Sequence, residues 1–350
     1  MTLLFEITKA ARQSGQPVKC VPCRKKMGKA VAAASGPRPR VFAVLPARNE
    51  GDEVRLTVES FLAAGADGIV VVDDASGNGS CDNIAAERVV VTRNAVAAGP
   101  AVCRNRGAAI AIERGADVVI FADAHGRISG VRDFANAAHR LDAIICAAVK
   151  PLEGKGRDWT GYGGRLVETA RGPKNNLPGA CYEVKYNPRS GGPFSPIGAL
   201  IGACYAMTPA VFERLGGWVP TLGWGYNEQA LSMKAWFTRT PMLIDPDTVY
   251  RHRFKKRFNY PASQATSRLN RFLTHRILFD EPTWRERWLP RMRAEFPDAA
   301  TRWPDVEARP ETRAAIEDFC ARKTLSDEEF FETAIQDGGF RADRRKDSPE

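Results

Sequence analysis

Four short runs rich in Val and Ile constrain the fold more tightly than anything else in this chain: RVFAVLP (40–46), GIVVVDD (68–74), RVVVTR (88–93) and DVVIFAD (117–123). Their apolar positions are nearly continuous rather than alternating. Strands of that kind are buried on both faces, as in a parallel sheet covered by helices. The stretches between them suit the crossovers such a sheet requires. One helix is predicted to begin near Asp52, with Val54, Val58, Phe61 and Leu62 on one face, and another to span 101–114. In open α/β sheets, ligands sit beyond the carboxyl ends of the strands. The chain's polar residues collect at those ends: Pro46 to Glu50 after the first run, Asp73 and Asp74 at the second, Asp123 and His125 at the fourth.

Past residue 150 the pattern changes. Residues 150–195 are rich in Gly, Pro and basic residues with little periodicity, which predicts a long loop region. Order resumes at 197–207, followed by a short helix with Thr208 as N-cap, Pro209 in its first turn and Gly216-Gly217-Trp218 at its end. A helix over 227–238 and strands at 242–245 and 248–252 complete the predicted core. The expected organisation is a basic appendage at 1–39, a main domain at 40–260, a helical C-terminal extension at 261–336 and a disordered charged tail at 337–350. The appendage holds a single Cys20-x-x-Cys23 pair, half of a zinc site with no second pair nearby. That favours dimerisation, or no function, over structural zinc.

Composition narrows the functional classes. No stretch reaches the roughly 20 apolar residues a membrane-crossing helix needs, and the first residues, MTLLFEITKAARQSG, lack the charged leader and apolar core of a signal peptide. Eight scattered cysteines, among them Cys103, Cys146 and Cys204 in apolar segments, fit free thiols in a reducing cytoplasm. The net charge of +10 points to a surface that attracts something acidic, such as a nucleotide diphosphate or a nucleic acid. Part of that excess lies in RHRFKKR (251–257), beside His252. A carboxylate and an imidazole two residues apart at a strand end, joined by an imidazole from a distant strand, can hold one divalent ion beside a phosphate. Asp123, His125 and His252 offer that set, and imidazole ligands favour manganese-like ions over magnesium. His139 and His275 lie in helical segments without a metal pattern and are expected to be structural.

Five segments in order then carry a resemblance: LPARNE, VVVDDAS, GPAVCRNRG, ADAH, and LGGWVPTLGWGYNEQALSMKAW followed by RHRFKKRFNY. Over residues 40–290 the chain resembles the GT-A glycosyltransferases of family 2, most closely the polypeptide N-acetylgalactosaminyltransferases. The resemblance implies a GT-A (nucleotide-diphospho-sugar transferase) α/β fold with a mostly parallel central sheet flanked by helices. It also implies a UDP-sugar donor, a Mn2+ cofactor held by Asp123, His125 and His252, and Ser or Thr of a protein as acceptor. Pro46, Ala47, Asp73, Asp74 and Gly99 would line the nucleotide site, with Asp123 shared between metal and substrate. Arg104 would reach the diphosphate or buttress the aspartates, and Lys255, Tyr260 and Trp224 would lie over the donor. In the third motif Ala101 replaces a Ser and Cys103 an Ala.

One departure concerns chemistry. The family's helix begins Glu-Asn or Glu-Asp, whereas this chain has Asn227-Glu228. Neighbouring positions on a helix point about 100° apart, so the acidic group is expected to be rotated. Glu228 is open to three roles: base in an inverting reaction, sugar or acceptor ligand in a retaining one, or a favourable charge at a helix N-terminus. Asn227, Glu228 and Lys255 are the catalytic candidates. A family-2 enzyme acting on a glycan or small molecule is the alternative. A basic nucleic-acid-binding protein is a further one, but carboxylates clustered at strand ends would repel its phosphates.

Overall fold

The Val- and Ile-rich runs pair side by side in the computed structural model, which describes residues 38–84, 86–153, 159–169, 179–255 and 257–335. Strands β1 (Val41–Ala47), β2 (Gly68–Asp73), β3 (Val89–Arg93) and β4 (Val118–Ala122) run parallel in the order β3-β2-β1-β4, with Val44 opposite Val70 on one side and Phe121 on the other. Every residue of β2 and β4 is buried, as continuous apolar runs require. β3 departs from the expectation. It is the sheet edge and only partly buried, with Val91 exposed.

Helix α1 (Glu53–Ala63) buries Val54, Thr57, Val58 and Phe61, while Leu62 lies at the margin of that face. α2 (Pro100–Glu113) lies close on β1 because its inward positions are small. A Cβ at Gly107 would come within 2.4 Å of the Val44 side chain. That contact gives the last glycine of the GPAVCRNRG segment a packing reason.

Beyond β4 the sheet becomes mixed. β5 (Gly126–Ile128), α3 (Arg132–Leu141) and β6 (Ile144–Pro151) follow in sequence, and β10 (Cys204–Met207) inserts antiparallel between β4 and β6. The two strands expected at 242–245 and 248–252 form one strand, β11 (Met242–His252), parallel to β6 with an irregularity between Asp245 and Val249. The predicted loop at 150–195 contains a hairpin, β7 (Gly164–Glu168) with β8 (Tyr182–Tyr186), and the short β9 (Ser195–Pro196), which pairs with β11. Strands of five residues or fewer that bury only Gly164, Leu166 and Tyr182 between them carry too short a pattern to read.

α4 (Pro209–Leu215) begins as expected, the Thr208 hydroxyl accepting from the Val211 amide. α5 (Asn227–Phe237) and α6 (Gln264–Leu278) precede short helical segments reaching Ile335. These segments do not form a core of their own. Trp284, Trp288, Trp303, Phe319 and Phe330 share one buried cluster with Tyr226, Met233 and Phe237 of the α5 region, and the Thr324 and Leu325 amides donate to the Phe237 carbonyl. The described residues from Arg38 to Ile335 thus fold as one unit. No helix among the described residues is long and apolar enough to cross a membrane. The Cys20-x-x-Cys23 appendage and the tail at 337–350 lie outside the described residues.

His275 sits in the middle of this cluster, fully buried among Tyr182, Phe279 and Trp288, with Nδ1 2.9 Å from the Arg271 carbonyl. Burial pushes its pKa down to about 3, so it is neutral in the folded state. Below its ordinary pKa near 6.5 the unfolded chain gains a proton that the fold refuses, and stability falls as pH drops. Between pH 7 and pH 4.5 the wild type should lose about 2–3 kcal/mol more than His275→Phe, at about 1.4 kcal/mol per pH unit below 6.5. Urea denaturation at the two pH values measures the difference.

Candidate active site

The carboxyl ends of β1, β2 and β4 open into a cleft of 520 Å³. One wall comes from Pro46, Ala47, Arg48 and Glu50, from Asp74, and from Gly99, Cys103 and Arg104; the other from residues 223–229, 252–255, Phe258, Tyr260 and Pro261. Asp123 and His125 enter from the turn after β4, and His252 from the end of β11, which pairs antiparallel with β5 so that His252 faces Gly126. Gly126 has no room for a side chain. A Cβ there would lie 2.3 Å from the Tyr250 ring, whose hydroxyl donates to the Asp123 carbonyl. The register of β5 against β11 therefore brings the two distant histidines together.

Asp123, His125 and His252 present ligand atoms all within 4.8 Å of one another. His252 Nε2 is 3.1 Å from Asp123 Oδ2, and the two imidazole centroids are 4.8 Å apart. The three donors suit a divalent ion of manganese type: one carboxylate, two imidazoles, and an open side toward the cleft. His252 Nδ1 is buried without a hydrogen-bond partner, so its Nε2 is the nitrogen turned toward the cluster. Burial works to raise the Asp123 pKa, but the His252 contact and the Arg104 charge outweigh it and hold the carboxyl well below the usual range.

Arg104 is 3% exposed and stands between two acids. Its Nη2 donates to Asp123 Oδ1 at 2.9 Å, its Nη1 lies 3.7 Å from Glu228 Oε1, and its guanidinium is 4.5 Å from the centre of the Trp218 ring. Glu228 also accepts a hydrogen bond from the Tyr205 hydroxyl at 3.0 Å. The inverted Asn227-Glu228 pair thus separates its two side chains. Glu228 faces the metal cluster across Arg104, whereas Asn227 is buried and accepts from the Thr221 hydroxyl at 2.8 Å.

At the other end of the cleft the two aspartates part in the same way. Asp74 lines the cleft and accepts from Asn94 and from the Ala98 and Gly99 amides, at 2.7–2.9 Å. Asp73 lies outside the lining. It is 1% exposed, accepting from the Ser76 amide and from Arg93 at 2.8 Å each. Successive strand residues point to opposite faces, so one of a pair is directed away. Gly99 has φ +94, and a Cβ there would be 2.3 Å from the Gly223 carbonyl oxygen, so the backbones of the two walls touch.

The segment after His252 folds across the cleft. Lys255, expected over the donor, is ion-paired with Glu50. Trp224 packs on Phe258 with ring centres 4.6 Å apart, and Arg48 lies over the Tyr260 ring at 5.3 Å. Asn49 and Asn259 exchange hydrogen bonds at 3.0 and 3.1 Å. Sequence reasoning left Glu50, Arg48 and Tyr205 unassigned. Glu50 stands in the LPARNE segment at a strand end, the one available signal; its partners are remote in the chain. Burial works to raise the Glu50 pKa, but His125 and Lys255 bring it below the usual value. The exposed His139 lies on the outer side of α3, as a histidine without a site role should.

Residues 42–186 match the model of the family described as glycosyl transferase family 2. The fold is similar to that of GalNAc-T7, in a crystal structure with UDP, GalNAc and Mn2+, with a TM-score of 0.64 and 18% identity over 86% of this chain. The chain spans 57% of that structure's length. More distant likenesses include the mannosyltransferase PcManGT of Pyrobaculum calidifontis (TM-score 0.43, 17% identity, 91% of this chain and 87% of that one). TarS of S. aureus is another (TM-score 0.46, 14% identity, 81% of this chain and 82% of that one). No curated protein matches in sequence. Residues 42–186 thus carry a family-2 glycosyl transferase domain, within a fold similar to that of GalNAc-T7.

Arg104 neutralises two carboxyl groups at once, so its removal leaves both facing each other. Arg104→Leu should destabilise the fold by about 3 kcal/mol, the lower end for a broken buried ion pair because both acids reach the cleft. The midpoint of urea unfolding measures this.

Proposed function

We propose that this chain transfers a sugar from a UDP-sugar to an acceptor hydroxyl, with Ser or Thr of a protein as the acceptor. The convergence of Asp123, His125 and His252 at the strand ends, one arginine away from Glu228, carries the reading. These three residues would hold Mn2+ or a similar ion, whose charge offsets that of the departing diphosphate when bound. Asp74, Pro46, Ala47 and Gly99 form the end of the cleft suited to the uracil and ribose, where backbone and carboxylate can meet N–H and hydroxyl groups. Arg48 and Lys255 supply positive charge for the pyrophosphate. Arg104 keeps Asp123 in place and Glu228 within reach of the reacting centre, where Glu228 serves either to take the acceptor proton or to bind the sugar or acceptor.

The protein acceptor is supported by the five ordered segments similar to the polypeptide N-acetylgalactosaminyltransferases. A glycan acceptor has an observation of its own. Phe254 lines the cleft, 44% exposed, with Trp159 5.2 Å from it and Tyr186, 40% exposed, 6.0 Å further on. Flat aromatic faces in a row suit the apolar faces of pyranose rings. A nucleic-acid ligand fits the cleft poorly, since Glu50, Asp74, Asp123, Glu183 and Glu228 all line it. A reducing, cytoplasmic location is supported by Cys81, Cys103, Cys146, Cys181 and Cys204, all buried as free thiols. Burial pushes Cys103 and Cys146 up to about 12.

UDP release from a panel of UDP-sugars should require Mn2+, and Asp123→Ala should lower it by about 10³-fold or more, the equivalent of several kcal/mol of lost charge stabilisation. Release that continues in chelator, or in Asp123→Ala, would refute the reading. Intact-mass analysis of co-incubated proteins and oligosaccharides separates the two acceptors. If glycans gain the mass, Trp159→Ala should raise their KM by about 3–10-fold while leaving the donor KM unchanged, the worth of one aromatic contact; if proteins gain it, the first reading stands.

A further inference from the structure

Glu50 is 8% exposed, and its carboxylate touches two residues that belong to different parts of the site. Oε1 lies 3.4 Å from His125 Nδ1, and Oε2 is ion-paired with Lys255. A buried carboxylate without partners is costly, so both contacts are needed to keep it there. At this distance His125 Nδ1 is buried beside Glu50 without a formed hydrogen bond, and Glu50 is the acceptor placed to take its N–H while Nε2 serves the cluster with Asp123 and His252. Metal-binding histidines commonly give their second N–H to a carboxylate, which fixes the tautomer and the ring orientation.

The same turn holds the segment that crosses the cleft at two other points, Asn49 to Asn259 and Arg48 to the Tyr260 ring. The Arg253 amide donates to the His125 carbonyl at 3.0 Å, so the backbone of the crossing segment is itself seated on the metal turn. Glu50 is the one side chain of the turn that grips both a candidate metal ligand and a residue of the crossing segment.

We propose that Glu50 is a positioning residue that couples the cation site to the segment bearing Lys255: it presents His125 with Nε2 free for the ion and pins Lys255 across the cleft with the same carboxylate. The inference rests on the reading that Asp123, His125 and His252 hold a divalent ion. Coupling of this kind is reciprocal, so filling the cation site slows local opening of the segment, and a pinned segment tightens the ion.

The test is Mn2+ binding by calorimetry, with hydrogen exchange of a peptide carrying Lys255 and Tyr260 measured with and without Mn2+ on the full chain. In the wild type, Mn2+ should bind and slow exchange of that peptide. Glu50→Gln should bind Mn2+ about 10–100-fold more weakly and lose the slowing, and Glu50→Asp, which keeps the charge, should recover part of both. Lys255→Met should free the peptide with or without Mn2+ while changing Mn2+ affinity by less than about 3-fold, well short of the loss from the carboxylate partner itself. Unchanged Mn2+ affinity in Glu50→Gln, or equal losses in Glu50→Asp and Glu50→Gln, would overturn the coupling and leave the cation site intact. If Glu50→Gln does not fold, the Glu50→Asp and Lys255→Met pair still decides: equal Mn2+ affinity in both refutes the role. A wild type that binds no Mn2+ would overturn the cation reading instead.

Discussion

A single buried guanidinium organises the chemistry of this molecule. Arg104 stands on α2, held against β1 by small residues, and meets Asp123 from the sheet and Glu228 from α5. Burial works against its charge, but the two acids more than compensate. Such an arrangement adds little net stability, because desolvating three charges consumes most of what their attraction returns. Its effect is geometric. The carboxyl of the metal cluster and the acidic group of the opposite helix are fixed to one rigid planar fork, so their separation cannot drift independently.

The sheet supplies the rest of the precision. Parallel strands β3-β2-β1-β4 place Asp74 and Asp123 at one edge by strand length alone, whereas the second histidine depends on β11 running antiparallel to β5 in one register. A slip of one residue would turn His252 away from Asp123. Gly126 and Tyr250 guard that register through close packing beneath the turn. The ligand set is thus a property of strand pairing as much as of residue identity.

That division explains what the sequence discloses. Strand ends, the Asp123-x-His125 pair and the helical C-terminal region are legible because each depends on local pattern: apolar runs, a two-residue spacing, helical periodicity. The assignment of Asp74 rather than Asp73 to the cleft is not, since it turns on the face each side chain takes at the last pleat of β2. Nor are the partners of Glu50, because Lys255 stands 205 residues away and only the folded crossing brings them together. The β7–β8 hairpin is hidden for a different reason. Its strands are short and carry charged residues, Arg165, Glu168, Glu183 and Lys185, so tertiary context decides their conformation.

The shared aromatic cluster of α5 and the last described helices sets an order on biosynthesis. Part of the inner face of α5 is covered from far downstream, where Phe237 stacks on Phe330 with ring centres 4.4 Å apart. While the chain is still emerging from the ribosome, β1 to β4 can pair from their own residues, but α5, although tied to the β7–β8 hairpin through Tyr226 and the Tyr182 carbonyl, still lacks the aromatic cover of its C-terminal end. A nascent chain therefore forms the strand-end half of its cleft before the wall bearing Glu228 is fully supported, and that wall is completed only when the last described helices have been made.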